Sequence, residues 1–327
     1  MESTSQLKKI AVLTSGGDAP GMNPCIRAVV RFGIVNGLSI VGVEDGYNGL
    51  IHGDFREMNL RSVSGIMQRG GTILQTARSE EFKTQKGQRE AIRRMSAEGI
   101  DGLVVVGGDG SLQGAVKLHQ QGVRVIGIPA SIDNDIYGTD MAIGVDTALN
   151  TIVDAIDKIR DTASSHSRAF LVETMGRESG YLAIQAGIVT GAEMVLVPEV
   201  PTDVDALVKA MDEAYRKGKT HCIIVCAEGA TPHVTELGQI IDSMDLGFTT
   251  RISILGHMQR GGKPTAFDRM LASRLGSKAV EFLMAGESGV MVGLDGSTIH
   301  TVPLEDVTTR KHEISLETYK MVNILAK

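Results

Sequence analysis

The chain of 327 residues has no tryptophan and few aromatic residues of any kind, which argues against nucleic-acid binding by stacking bases on aromatic platforms. It has no excess of positive charge either. A net charge of −6 excludes the broad basic footprint of a nucleic-acid surface, although local basic pockets for small phosphorylated molecules remain open. Cysteine is scarce: Cys25, Cys222 and Cys226 include no C-x-x-C pair. An odd number without a closely spaced framework fits a reducing compartment, and Cys222 and Cys226 lie in an apolar run where core packing is expected. No stretch reaches the roughly 18 apolar residues that span a bilayer. Residues 1–9 are polar and lack the apolar centre of a secretory leader. We therefore expect a cytoplasmic protein that engages neither nucleic acid nor membrane. Pro-rich linkers and low-complexity segments are also missing, so any lobe boundary must be hidden inside regular structure.

Glycine, in contrast, is abundant, with 39 residues, many placed directly after short runs of Val and Ile. Such placement suits an α/β protein whose strand-to-helix loops approach ligands closely. The clearest apolar runs are 10–13, 103–106, 123–128, 169–172, 194–197, 222–225 and 252–255. Their continuous apolarity predicts strands covered on both faces. Helical periodicity falls between them, over 22–35, 88–97, 148–160, 204–215 and 267–283. This alternation predicts βαβ units and mainly parallel sheets. The length exceeds what one core usually serves, so two lobes are expected, with a boundary near Gly144.

In doubly wound sheets, ligands collect beyond the carboxyl ends of the strands, and three loops there carry chemistry. The first, Thr14-Ser15-Gly16-Gly17-Asp18-Ala19-Pro20-Gly21-Met22-Asn23, leads into a helix. Glycines let backbone N–H groups face an anion and the helix N-terminus favours negative charge; a tight turn is the plainer reading. The second is Gly107-Gly108-Asp109-Gly110-Ser111. A carboxylate beside an anion-binding backbone implies a metal between them, so Asp109 is a candidate ligand of nucleotide-bound Mg²⁺, or else a helix cap. The third, Pro129-Ala130-Ser131-Ile132-Asp133-Asn134-Asp135, sets two carboxylates two residues apart. In an extended loop both would point the same way, one toward a hydroxyl and the other holding it or a metal. Phosphoryl transfer asks the protein for this positioning, charge neutralisation and a proton acceptor; a solvated Asx-turn is the alternative.

With these loops, Gly70-Gly71-Thr72, Ser164-Ser165-His166, Met175-Gly176-Arg177 and Leu255-Gly256-His257-Met258-Gln259-Arg260-Gly261-Gly262 complete a set that resembles the bacterial-type 6-phosphofructokinase family over nearly the whole chain. The resemblance implies two Rossmann-like lobes with mainly parallel, helix-covered sheets. Residues 1–144 with about 259–309 would bind ATP, and 145–258 with about 310–327 would bind fructose 6-phosphate. It implies transfer of the ATP γ-phosphoryl to the sugar 1-hydroxyl, a step of glycolysis, with Mg²⁺. Asp133 then looks like the general base, acting late because a carboxylate with a pKa of about 4 is a weak base at rest. Asp135 would organise Mg²⁺ and the transfer site, and Ser131 stands where the family commonly has Thr. Gly17, Arg78, Ser79, Gly108, Asp109, Gly110 and Ser111 would hold the nucleotide. Met175, Gly176, Arg177, Glu228, Arg251, His257 and Arg260 would hold the sugar phosphate, the guanidinium groups matching its oxygens in bidentate geometry. Arg177 joins Ser131, Asp133 and Asp135 as catalytic. Arg168 and Arg251 resemble residues that reach a neighbouring subunit's site, so a homotetramer with shared sites is implied.

Two positions bear on the donor. Gly110 stands where pyrophosphate-using members have Asp, a carboxylate that would crowd and repel the nucleotide α-phosphate. Ala130 stands where those members commonly have Lys and ATP-using members Gly; small and uncharged, it sides with ATP. A pyrophosphate-dependent enzyme is the alternative, as is a non-catalytic nucleotide or sugar-phosphate sensor. NAD kinases and diacylglycerol kinases share only the Gly-Gly-Asp-Gly loop. The family's effector site for ADP or phosphoenolpyruvate is matched by Arg27, Arg31, Arg160, Glu193, Lys217, Lys219 and His221, though 217–221 also reads as a solvated helix end. One arginine of that site falls on Leu60, with Arg61 displaced by one.

Overall fold

The computed structural model describes residues 7–163, 168–219, 221–244 and 249–325; the Ser164-Ser165-His166 block and Thr220 lie outside them. In chain order the strands and helices are β1 (Lys9–Ser15), α1 (Met22–Val35), β2 (Ser39–Val43), α2 (Gly46–His52), β3 (Phe55–Met58), α3 (Gln85–Glu98), β4 (Gly102–Gly107), α4 (Asp109–Gln120) and β5 (Val125–Pro129). There follow α5 (Val145–Ala163), β6 (Arg168–Thr174), α6 (Tyr181–Thr190), β7 (Met194–Leu196), α7 (Val204–Arg216), β8 (His221–Ala227), α8 (Val234–Ser243) and β9 (Thr249–Ile254). The last elements are α9 (Ala266–Met284), β10 (Val290–Asp295), β11 (Thr298–Pro303), α10 (Leu304–Thr309) and α11 (Leu316–Leu325).

Two units are built from them. The first runs to Thr147 and resumes over Arg260–His312. Its seven-stranded sheet has the order β11-β10-β5-β4-β1-β2-β3. The centre is parallel, and β3 and β11 close the two edges antiparallel. Ile10–Leu13 and Leu103–Val106 are fully buried, as continuous apolar runs in a helix-covered parallel sheet should be. Sequence order reverses between β1 and β4: β2 and β3 lie to one side, and β5 to the other. That is the topological switch point at which open α/β sheets bind ligands. Helix α1 begins with Pro24 in its first turn, where the missing N–H costs nothing, and buries Met22, Cys25, Ile26, Val29 and Val30.

The second unit comprises Ala148–Gln259 and the segment from Glu313. Its four parallel strands have the order β7-β8-β6-β9. Cys222 and Cys226 sit in its core with Leu171, Ile224 and Leu237, and burial pushes both thiols up to about 12, which makes them inert packing groups. The expectation that 252–255 is covered on both faces is corrected here. β9 is an edge strand, and Ile252 and Ile254 are 39% and 55% exposed; among the described residues no further strand covers this side.

Asp268 is a buried anchor of the first unit. It is 0% exposed and accepts hydrogen bonds from Gly144 N (2.9 Å), Thr147 N (2.8 Å) and Thr147 Oγ1 (2.5 Å). It thereby caps the N-terminus of α5, whose first N–H groups lack intrahelical acceptors. Burial outweighs these bonds and raises its carboxyl from the ordinary 3.8 to about 6. The folded state thus holds the proton more tightly than the unfolded chain. The resulting stability is complete below pH ~4 and is lost as pH rises through 6, about 3 kcal/mol in all. Denaturant titrations of Asp268→Asn should accordingly fall about 3 kcal/mol less than the parent between pH 4 and pH 7. Parallel curves would mean that Asp268 stays ionised in the fold.

Candidate active site

At the switch point, β1 and β4 run side by side with Ser15 opposite Gly107, so their loops emerge together. A Cβ on Gly107 would lie 2.5 Å from Ser15 O and 2.6 Å from Ser111 Oγ; only glycine lets the loops close up this far. Gly108 occupies the N-cap of α4 without a side-chain cap bond, and Asp109 is the first helical residue. Asp109 Oδ2 accepts from Gln113 Nε2 at 2.8 Å. Asp109 and Gly110 are exposed, whereas Ser111 is buried and its carbonyl accepts from Tyr47 Oη at 2.6 Å. The exposed first turn of α4 offers backbone N–H groups and the positive end of a helix dipole.

Three further segments converge on these loops. Arg260 lies on the first one: Nη1 is 3.4 Å from Asp18 O, and a Cβ on Gly17 would lie 2.5 Å from that nitrogen. Thr14 Oγ1 donates to Gln75 O (2.7 Å) and meets Thr72 Oγ1 (2.9 Å), and Thr76 Oγ1 donates to Gly16 O (2.8 Å). These bonds fix the segment that delivers Arg78, which is exposed, and Ser79. Asn23, 1% exposed, clamps the same segment by accepting from Ile73 N (2.8 Å) and donating to Arg69 O (3.0 Å). The sequence gives no sign of the part Thr76 plays, and of Asn23 it shows only that the first glycine-rich motif ends there. A polar residue on the first buried turn of α1 was the available signal.

The third segment is the loop after β5. Ala130 N donates to Gly107 O (3.0 Å), and Ser131 N to Ile143 O (3.2 Å), which sets the carboxylates next to the Gly107–Ser111 turn. Ser131 Oγ donates to Asp135 Oδ1 and accepts from Asp133 N, both at 3.3 Å. The loop is not extended, which corrects the premise on which the two carboxylates were expected to point the same way. Asn134 has φ +48°, and its side chain accepts from Ala142 N (2.9 Å) and donates to Asp140 O (3.0 Å). As a result Asp133 is 2% exposed and Asp135 half-buried. Among the described residues no cluster of three His, Cys, Asp or Glu side chains forms a metal cage. Mg²⁺ does not require one, because it keeps waters and takes one or two carboxylates together with substrate phosphates. An exposed carboxylate on the first turn of a helix, as Asp109 is, fits that mode.

The second unit carries Met175, Gly176, Arg177 and Glu228 just beyond the carboxyl ends of β6 and β8, whereas Arg168 opens β6 and Arg251 lies within β9. After β6 the chain turns through Gly176 (φ +147°) and Arg177 (φ +53°). Glu228 Oε1 accepts from Gly176 N (3.2 Å) and Arg177 N (2.7 Å), two successive N–H groups that form an anion nest. Gln259, fully buried, accepts from Met175 N (3.1 Å) and donates to Gly256 O (3.0 Å), tying this turn to the one bearing exposed His257. Glu173, just before the turn, is 3.3 Å from His233 Nε2. Burial raises its carboxyl, His233 opposes the shift and Glu228 adds to it. Gln259, Glu173 and His233 were given no role from the sequence. Arg251 pairs with Phe170, two residues from Arg168, so both arginines stand on one face of the β6–β9 ladder.

The effector candidates divide between the units. Arg27 and Arg31 are one turn apart on α1, and partial burial together with the Arg31 charge lowers the Arg27 pKa. In the second unit Glu193 accepts from Ile223 N (2.7 Å) and lies 3.4 Å from Lys219 Nζ. These residues and His221 therefore gather at the amino end of the sheet. Arg160 donates to Thr190 O, and Lys217 is exposed at the end of α7. Leu60 and Arg61 are both exposed, in the turns after β3.

Comparison with known proteins places these features in a wider set. The family model described as Phosphofructokinase matches residues 9–283. A protein of Thermotoga neapolitana named ATP-dependent 6-phosphofructokinase is 53% identical over 98% of this chain and 100% of its own length. One of the same name from Halothermothrix orenii is 51% identical over 98% of this chain and 100% of its own. Among solved structures, phosphofructokinase from Saccharomyces cerevisiae superimposes with a TM-score of 0.86 at 39% identity; the match covers 92% of this chain and 45% of the yeast chain.

Proposed function

The chain belongs to the phosphofructokinase family, and from that premise we propose that it is a phosphotransferase moving the γ-phosphoryl of ATP to the 1-hydroxyl of fructose 6-phosphate, in glycolysis and in the cytoplasm. The observation that carries the reading is the contact between the Gly107–Ser111 turn and the carboxylate loop, with Ser131 bridging Asp133 and Asp135. That contact sets a phosphate cradle beside a proton acceptor.

Asp133 takes the proton of the attacking hydroxyl, late in the transfer, when the hydroxyl has become acidic. Its burial keeps competing water from the proton in transfer. Ser131 holds the backbone of Asp133 and the carboxylate of Asp135 in one frame. The first turn of α4 and the Gly16-Gly17 loop bind the donor phosphates through N–H groups, and Arg78 and Arg177 offset the charge that develops in transfer. Asp109 would hold Mg²⁺ and Asp135 would organise its site; when bound, the ion would supply further neutralisation of that charge. Glu228 orients a sugar hydroxyl; Met175, Gly176, Arg251, His257 and Arg260 complete the sugar-phosphate set.

Gly110 supports ATP as donor: beyond its own turn of helix, no protein atom lies within 4 Å of where its Cβ would be, and this space admits the nucleotide α-phosphate. The exposed Ile252 and Ile254 of β9, with Arg168 and Arg251 on the same ladder, support a homotetramer with shared sites. Arg27, Arg31, Arg160, Glu193, Lys217, Lys219 and His221 contribute to an effector site for ADP or phosphoenolpyruvate between subunits.

The test is product formation from fructose 6-phosphate and Mg²⁺ with ATP or pyrophosphate in parallel, repeated with ADP or phosphoenolpyruvate added. Turnover with ATP alone is expected, with sugar-phosphate saturation shifted by an effector. Turnover only with pyrophosphate would overturn the donor assignment, turnover with neither would overturn the reaction, and an unmoved curve would remove the effector site.

A further inference from the structure

Asn134 stands between the two carboxylates of the loop after β5, and the scheme above gives it no part. It is one of four non-glycine residues with left-handed φ among those described, a conformation that Asn tolerates better than most. The residue is 1% exposed, and its amide makes two bonds of opposite polarity to the returning arm of the loop: Oδ1 accepts from Ala142 N, and Nδ2 donates to Asp140 O. Those partners fix the orientation of the amide. A carboxylate at this position could keep the first bond but has no donor for the second.

The loop is held at its base by the Ala130–Ile143 bridge and by Ile143 N donating to Pro129 O (3.0 Å). The Asn134 amide is a second tie, nearer the tip. The left-handed residue turns the chain between Asp133 and Asp135, so that one carboxylate is buried and the other, bonded to Ser131, is half-buried. Asn134 thus stands at the bend that separates two acids of different burial.

We propose that Asn134 is a positioning residue for phosphoryl transfer: its amide braces the left-handed turn that holds the Asp133 carboxylate toward the attacking hydroxyl. The inference rests on the reading of Asp133 as the proton acceptor. Asn134→Gly keeps the left-handed turn at no steric cost but removes both bonds, and Asn134→Asp keeps one acceptor but loses the donor. Steady-state kinetics of both, alongside thermal melting, should show kcat lowered roughly 100-fold, the penalty of a misplacement of about 1 Å. KM for ATP and fructose 6-phosphate should stay within about two-fold, because the donor and sugar-phosphate contacts lie elsewhere.

A purely structural residue would change the melting temperature and leave the kcat of the folded fraction alone. A folded variant with kcat within about three-fold of the parent, or with KM raised and kcat kept, would overturn the proposal. So would failure of both variants to fold, which would make Asn134 a folding residue. If the parent itself fails to transfer from ATP, the functional reading falls and takes this role with it. An active parent with indifferent variants removes the role of Asn134 alone.

Discussion

Asp133→Asn is expected to lower kcat by roughly 100- to 10,000-fold, the range over which a positioned general base contributes to proton transfer. The substitution is close to isosteric, and the bond that frames the loop here is made by the Asp133 backbone N–H to Ser131 Oγ, so the loop should survive it. KM for both substrates should remain within about two-fold, since the residue acts on the proton in flight rather than on ground-state binding. Steady-state kinetics with a melting curve on the same preparation would check this. A loss below about ten-fold would move the proton acceptor to another group, Asp135 first.

Gly110→Asp should produce the second large effect, and a cleaner separation of folding from function. A Cβ at Gly110 meets nothing within 4 Å beyond its own turn of helix. The position is the second residue of α4, where a negative charge is favoured by the helix dipole. Stability should therefore hold or rise slightly. The bound nucleotide, however, would meet a carboxylate at its α-phosphate. Like charges brought together cost several kcal/mol, so kcat/KM for ATP should fall roughly 100- to 1,000-fold, about 3–4 kcal/mol. An unchanged kcat/KM for ATP would remove Gly110 from the donor site, and a lowered melting temperature would show that the space is needed by the protein instead.

Much of the architecture could be read from apolar runs alone. All seven coincide with strands, and α1 spans the residues that its periodicity predicts. Where boundaries moved, local hydrogen bonding explains the shift. The run at 123–128 begins as β5 only at Val125, because Val123 N donates to Leu118 O to close the end of α4. The hairpin of β10 and β11 was not recognised, although Asp295-Gly296 is a turn signal of the strongest kind; β11 is an edge strand with polar, half-exposed residues and gives no apolar run. In the site, the glycine-rich turns and the carboxylates were legible because their chemistry depends on residue type and spacing. The bend at Asn134 and the tie made by Gln259 were not. Both arise from buried amides meeting backbone groups of other segments, and no local pattern announces such a pairing.

The interleaving of the two units along the chain bears on how the protein is made. β5 ends at Pro129, while β10, which pairs with it, begins at Val290. A ribosome adding about 5–20 residues per second needs on the order of 10–30 s to cross that interval. Throughout it the β5 edge of the nascent sheet has no strand beside it, and α1 waits for α9. The intervening second unit must fold, or be shielded, before the first can be completed. An open apolar edge held for that long invites pairing with neighbouring nascent chains, so the yield of soluble protein should depend on translation rate and chaperone supply more than on the final stability of either unit.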